Sequence, residues 1–483
     1  MRLYNYLENV EILQTNVRRF DAEIRGVTSR SDEVQTGYIF VCVRGIHKDG
    51  HDLAAEAKEK GASLLVVEQI TLGIINTGIP YIRVQNTRLT LAIMCAAAYG
   101  NPERQLKMIG VTGTNGKTST CQLLSAVYAR AGENVKMFGT LDGGLTTPDP
   151  EDFFPMLKNA FDTGKTTVIM EASSHALFFD KLFGVKFRCG IFTNLTPEHL
   201  DFHKSMNEYA SAKAKLFKNC TVALINLDDR YCENVREMSK GQTFTYSIND
   251  KNADFCVENF VSLGTNGFEY DLLTPTVPLR IESHLCGRFN VYNTLAAASL
   301  AFADGVDHGS IEAGIRSVEN VKGRLERLDL KNVPFEIYID YAHTPDALQN
   351  VLECIRAFKT KKQRITLVFG CGGDRDRSKR KVMGQIASRL ADFVIVTSDN
   401  SRTEKTSDII CEIMKGIDKT RPFKVIEDRR NAIEYAVENA RENDIILLAG
   451  KGHEDYEIGP MGKSYFNEKE IAAYAVDKRV RKK

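Results

Sequence analysis

The sequence predicts an α/β fold of three domains: a small α/β domain over residues 1–104, a central domain over 105–325 on a parallel sheet with a phosphate-binding loop, and a Rossmann-like domain over 326–483. Three observations lead there. The length, 483 residues, exceeds what one hydrophobic core organises. Short apolar runs alternate with helical patterns along most of the chain. Polar, glycine-rich clusters follow the ends of those runs, where ligands collect in open parallel sheets.

Composition narrows the function classes. Hydrophobic residues make up 43% and charged residues 26%, an ordinary globular balance. Lys and Arg number 64 against 63 Asp and Glu, so nothing draws the whole chain to nucleic acid or acidic lipid. Eleven cysteines stand as singletons, some inside apolar runs (Cys42, Cys189, Cys256), which suits a reducing compartment better than a disulfide framework. With no apolar signal core after Met1 and no run of membrane-spanning length, a soluble cytoplasmic protein is expected, without nucleic-acid or membrane partners; a monomer is the working expectation, which nothing in composition or spacing derives.

In the first domain, 38–43 and 63–67 read as buried strands and 53–60 as a helix stopped by Gly61. The loop from Arg44 to His51 between them is polar and glycine-rich, equally readable as a solvated connection or a ligand loop, and Thr28-Ser-Arg30 is similarly open. A helix over 89–99 ends at Gly100-Asn-Pro102, a plausible linker.

The central domain is organised around Gly113-Thr-Asn-Gly-Lys-Thr118 and Ser119, which interrupt an apolar strand (108–111) before a helix expected over 122–131. Strand, glycine loop and helix aim backbone N–H groups at a phosphate. Lys117 would reach the β/γ-phosphates of ATP and the Thr118 hydroxyl would join a Mg²⁺ shell, although Val111 stands where the general phosphate-loop pattern has glycine. Alternating strands and helices are expected to continue to about 325, with strands 167–170, 189–193 and 222–226 ending in Glu171, in the segment from Asn194 to His203, and in Asp228-Asp229. Glu171 and His199 are candidates to share one metal with the nucleotide. His199 and His203 would suit zinc only on a helix and with a further ligand set, so a zinc hydrolase is disfavoured, and His203 is readable as a structural histidine.

A helix is expected over 205–217, and Lys213 falls on its apolar face with Met206, Tyr209, Ala210, Leu216 and Phe217. Either it snorkels to water or it lies buried as a neutral amine able to take up CO₂ as a carbamate. Strands over 335–339, 365–369, 393–396, 423–426 and 445–448 build the third domain, and four of their ends carry polar groups, the stretch with Arg375, Arg377 and Arg380 among them. Convergence of those ends makes a ligand cleft a better reading than a solvated basic loop.

Taken together, Gly113 to Thr118, Thr146-Thr-Pro-Asp149, Glu171-Ala-Ser-Ser-His175, His199, Tyr209-Ala-Ser-Ala-Lys213, Gly287 to Asn293, Gly323-Arg-Leu-Glu326, Asp340 to Asp346, Gly370 to Asp376 and Gly450-Lys-Gly-His-Glu454 resemble the Mur ligases, most closely the type that adds the third residue of the peptidoglycan stem peptide. The resemblance runs through nearly the whole chain. It implies a domain for the uridine nucleotide, a central P-loop ATPase-like domain, a domain for the incoming amino acid, and Mg²⁺ as cofactor with ATP. It also implies a carbamylated Lys213, Mg²⁺ contacts at Glu171 and His199, adenine at Asn293, and the nucleotide at Arg324 and Asp340. Substrate contacts are implied at Ser29, Arg30, Thr146, Thr147, Ser173 and Ser174.

Asp399-Asn-Ser-Arg402 resembles the D-N-P-R loop of members taking meso-diaminopimelate, in which the arginine meets the second carboxylate; Arg375, Asn400, Gly450 and Glu454 match other contacts. Ser401 replaces the proline, Lys181 stands where an arginine usually meets the uridine substrate, and Thr196-Pro-Glu198 stands where T-R-D is commoner. The expected activity is ATP-dependent joining of meso-diaminopimelate to UDP-N-acetylmuramoyl-L-alanyl-D-glutamate through an acyl phosphate. Competing expectations are the lysine-adding ligase, a folylpolyglutamate synthase, a nucleotide-driven switch or motor, and a non-catalytic binding protein.

Overall fold

The computed structural model describes residues 1–45, 48–142, 145–200, 202–330 and 333–481. Asp201, within the segment from Asn194 to His203, and Ile46 and His47, within the loop from Arg44 to His51, lie outside them.

Three sheets carry the chain. In the first, Gly26–Thr28, Tyr38–Val41, Leu64–Val67 and Tyr81–Arg83 run parallel, and Gln14–Thr15 closes the edge antiparallel. Its longest helix, Thr87–Ala98, starts where the Asn86 side chain accepts from the N–H groups of Arg88 and Leu89.

The second sheet has nine strands. Val135–Phe138, Thr167–Glu171, Lys107–Thr112, Phe187–Phe192, Cys220–Asn226, Gln242–Ser247 and Phe255–Ser262 lie side by side in that order and parallel. Phe268–Leu273 and Leu279–Ser283 then extend the sheet antiparallel, which corrects the expectation of strands alternating with helices to residue 325. These two strands bury every second residue, among them Phe268, Tyr270, Leu272, Leu279 and Ile281, and short turns join them, so no helical crossover intervenes.

Two further bounds differ from expectation. The helix after the phosphate loop starts at Lys117 rather than 122, because Gly116 at φ +88° turns the chain directly into it. The helix holding Lys213 spans Met206–Ala214 and tightens into a 3₁₀ segment, Lys215–Asn219. Ser205 caps it by accepting from the Glu208 N–H.

In the third sheet Glu336–Asp340, Ile445–Ala449, Ile365–Phe369, Phe393–Val396 and Phe423–Val425 are parallel, with Glu326–Arg327 antiparallel at the edge. A separate hairpin pairs Tyr456–Gly459 with Gly462–Tyr465. All eleven cysteines are free thiols. Among the described residues no helix is long and apolar enough to cross a membrane.

Helix Lys117–Arg130 is locked by packing. Cys121, Leu124, Val127 and Tyr128 are fully buried, and helix His308–Arg316 crosses it at Gly314, where a Cβ would come within 2.5 Å of the Val127 Cα. Gly314→Ala must therefore push the helices apart, at a cost of about 1–3 kcal/mol. A thermal midpoint lowered by several degrees is expected; an unchanged midpoint would show slack between the helices.

Candidate functional site

The phosphate loop leaves strand Lys107–Thr112 and is tied to the end of its neighbour, Phe187–Phe192. The Thr114 N–H donates to the Asn194 carbonyl (2.8 Å), the Asn115 N–H to Asn194 Oδ1 (2.9 Å), and Thr193 Oγ1 to the Asn115 carbonyl (2.7 Å). Both loop glycines are forced. A Cβ on Gly113 (φ +147°) would sit 1.9 Å from Thr193 Oγ1, and one on Gly116 (φ +88°) 2.4 Å from Asn293 Oδ1.

Two lysines meet on one carbonyl. Lys117 Nζ donates to Gly113 O (2.9 Å) and Thr114 O (2.8 Å), and Lys213 Nζ donates to Gly113 O at 2.7 Å. Lys213 is 1% exposed, so the snorkelling alternative is overturned. Burial, reinforced by the Lys117 charge, drives its pKa well below the usual lysine range, and burial lowers Lys117 as well. The Lys213 amine lies against the face of Tyr209, 4.7 Å from the ring centroid.

Glu171, 1% exposed, closes the other wall. Its Oε1 accepts from Thr118 Oγ1 (3.0 Å), the Thr140 N–H (3.0 Å) and Thr140 Oγ1 (2.8 Å). Arg324 donates to the same Thr118 hydroxyl at 3.2 Å and lies over the Tyr341 ring. Asp340 receives the Leu325 and Ala342 N–H groups, and burial raises its pKa.

His199 adopts φ +56° in a turn, not a helix, with its ring 4.8 Å from that of His175; loss of solvent pushes its pKa down to about 4. Among the described residues no three His, Cys, Asp or Glu side chains are grouped so as to hold a metal ion. A hydroxyl, a carboxylate, an imidazole and a neutral amine convertible to a carbamate do suit Mg²⁺ completed by phosphate oxygens.

The residues enclose two adjoining cavities that share Asn115 and Arg324. One, of about 340 Å³, contains Gly116, Thr118, Ser119, Asn293 and Asp340. Its aromatic walls, Phe289, Tyr292 and Tyr246, were not foreseen, although Phe289 stands three residues before Tyr292 and four before Asn293, the spacing of neighbours on one helix face. The other, of about 500 Å³, contains Thr114, Lys117, Thr146, Glu171, Ser173, Ser174, His199 and Lys213 on one side. Arg375, Asp399, Asn400, Arg402, Gly450 and Glu454 line its other side.

Some predicted residues stand apart from these cavities. Thr147 lies behind Glu171, donating to its backbone carbonyl at 2.8 Å. Ser29 donates to Glu151 (2.6 Å) and Arg30 pairs with Asp152, which joins the first sheet's loop to segment 149–152, and Lys181, just after helix Ser174–Phe178, pairs with Asp149 (2.6 Å) of the same segment. Glu198 was noted only as a departure, yet it reaches across the large cavity to His343 Nε2 at 3.4 Å. Burial opposes its charge, but the His343 hydrogen bond with the charges of His199 and Lys117 holds it well below the usual carboxylate range.

Gly116→Ala would impose left-handed strain and displace Asn293; nucleotide affinity is expected to fall by about tenfold or more by calorimetric titration, with helix content unchanged. Undiminished affinity would place the nucleotide elsewhere.

Three family models match the chain: "Mur ligase family, catalytic domain" over 23–99, "Mur ligase middle domain" over 111–301 and "Mur ligase, glutamate ligase domain" over 323–452. The UDP-N-acetylmuramoyl-L-alanyl-D-glutamate–2,6-diaminopimelate ligase of Clostridium botulinum is 38% identical, with 93% of this chain and 94% of that one aligned. The ligase of the same name from Clostridioides difficile is 38% identical over 99% and 100%. A solved structure of a ligase of that name is 29% identical and superposes with a TM-score of 0.69 over 99% of both chains.

Proposed function

The chain belongs to the Mur ligase family, and from that premise we propose that it joins meso-diaminopimelate to the D-glutamate carboxyl of UDP-N-acetylmuramoyl-L-alanyl-D-glutamate, using ATP and Mg²⁺, in the bacterial cytoplasm. The observation that carries this reading is the 500 Å³ cleft, in which the phosphate-loop lysine and Glu171 face two arginines and Glu454 across one continuous space.

ATP fits with its base in the smaller cavity near Asn293 and its phosphates over residues 113–118, against the start of helix Lys117–Arg130. The substrate carboxylate oxygen attacks the γ-phosphorus; an O–P bond forms, the bond to the β-phosphate oxygen breaks, and ADP leaves. The diamino acid's amine then attacks the acyl carbon. A C–N bond forms, phosphate departs with the electron pair of the C–O bond, and the nitrogen loses a proton. Lys117, released from its loop carbonyls, compensates charge on the transferring phosphoryl group.

Thr118, Glu171, His199 and a carbamate on Lys213 would hold Mg²⁺, which supplies further charge compensation there. The carbamate forms when the neutral Lys213 amine bonds to the carbon of CO₂ and releases one proton. Ser29, Arg30, Lys181, Thr146, Thr147, Ser173 and Ser174 are assigned to the uridine substrate, the first three after exchanging their present carboxylate partners for it.

Arg402 favours diaminopimelate over lysine. Arg402 and Arg375 line that end of the cleft together, and a second carboxylate offers their guanidinium groups a partner that a lysine side chain does not. Phosphate release should require the uridine dipeptide, ATP, Mg²⁺ and meso-diaminopimelate together, and mass analysis should find the tripeptide product. Release with L-lysine instead would refute the role given to Arg402, and release without any amino acid would refute the ligase.

A further inference from the structure

The loop 399–402 lacks the proline that would stiffen it, yet Ser401 is only 7% exposed and Arg402 holds φ +52°, a conformation costly for a residue with a Cβ. Gly373 holds it from one side, its N–H donating to the Asn400 carbonyl (2.9 Å) and its carbonyl accepting from Arg402 Nη1 (2.7 Å), and the hairpin at 456–465 holds it from the other. Ile458 gives both backbone groups to this loop: its N–H donates to Asn400 Oδ1 (2.9 Å) and its carbonyl accepts from the Arg402 N–H (3.0 Å).

Lys451 completes the grip. It is fully buried, donates to Asn400 Oδ1 (3.0 Å) and to the Tyr456 carbonyl at the start of the hairpin (2.8 Å), and lies 3.8 Å from Glu454 Oε2. Asn400 passes the constraint on, donating from Nδ2 to Glu454 Oε2 at 2.9 Å. Both acceptor positions of Asn400 Oδ1 are thus filled, and its amide is fixed in one orientation.

The hairpin has no evident packing purpose. Strand Gly462–Tyr465 is exposed throughout and Met461 at the turn is fully exposed. A lone two-stranded hairpin is marginal in water, so loop and hairpin support each other.

We propose that Lys451 and the backbone of Ile458 are positioning residues for amino-acid recognition: together they set Asn400, Arg402 and Glu454 against the incoming diamino acid, replacing the ring constraint missing at 401. This rests on the ligase reading above. The test is steady-state kinetics of Lys451→Met and Ile458→Pro, varying each of the three substrates in turn and comparing diaminopimelate with L-lysine. Ile458→Pro removes one donor on a half-buried strand outside the core, so it decides the matter if Lys451→Met fails to fold.

Losing a hydrogen bond to this network should raise the KM for diaminopimelate by about tenfold or more. The KM values for ATP and the uridine dipeptide should stay within about twofold, the preference over L-lysine should narrow, and Met461→Ser should change nothing. An unchanged diaminopimelate KM in a folded variant, or equal losses for all three substrates, overturns the proposal. If wild-type enzyme turns over only with another amino acid, the substrate assignment fails, and the same KM comparison on that amino acid decides the positioning claim.

Discussion

Two amines on one carbonyl oxygen set the terms for the whole site. With Lys117 and Lys213 both donating to Gly113 O inside the protein, two full charges would repel in a medium that screens them poorly. Lys213, the more deeply buried of the two, has its pKa driven well below the usual lysine range by burial and then by the Lys117 charge. An anion arriving at the loop then meets two amines whose charging is opposed by burial, Lys213 more strongly than Lys117. This arrangement needs the Gly113 conformation, the Thr193 hydroxyl behind it and a helix that keeps Lys213 from reaching water.

Contacts between the second and third sheets' segments close the space around that carbonyl. Asn115 of the phosphate loop donates to Asp346 Oδ2 at 2.8 Å, Glu198 meets His343, and Arg324 reaches Thr118. The phosphate loop and the third sheet's side of the cleft are thereby joined through a few polar links. Such links can be remade as substrates enter, which a ligase handling three substrates requires.

Much of this was legible because it is local. The phosphate loop declares itself through glycine spacing, and the polar strand ends through their position after apolar runs. Lys213 was ambiguous because periodicity assigns a face but not a depth; the surrounding helix and loop had to be placed before burial could be decided. The antiparallel strands at 268–283 did carry a readable alternation, obscured by the expectation of helical crossovers. Glu198 reaching His343 and Ile458 gripping the 399–402 loop join residues distant in sequence, so no local pattern encodes them. Ser29, Arg30 and Lys181 are held by carboxylates of segment 149–152, which one-dimensional motifs do not reveal.

The most direct test of the account is whether Lys213 is the neutral amine it describes. Protein equilibrated with ¹³C-bicarbonate should show a carbamate carbon by NMR that is absent from Lys213→Arg and retained in Lys215→Arg. A wild-type protein without that signal, or a signal surviving Lys213→Arg, would contradict it.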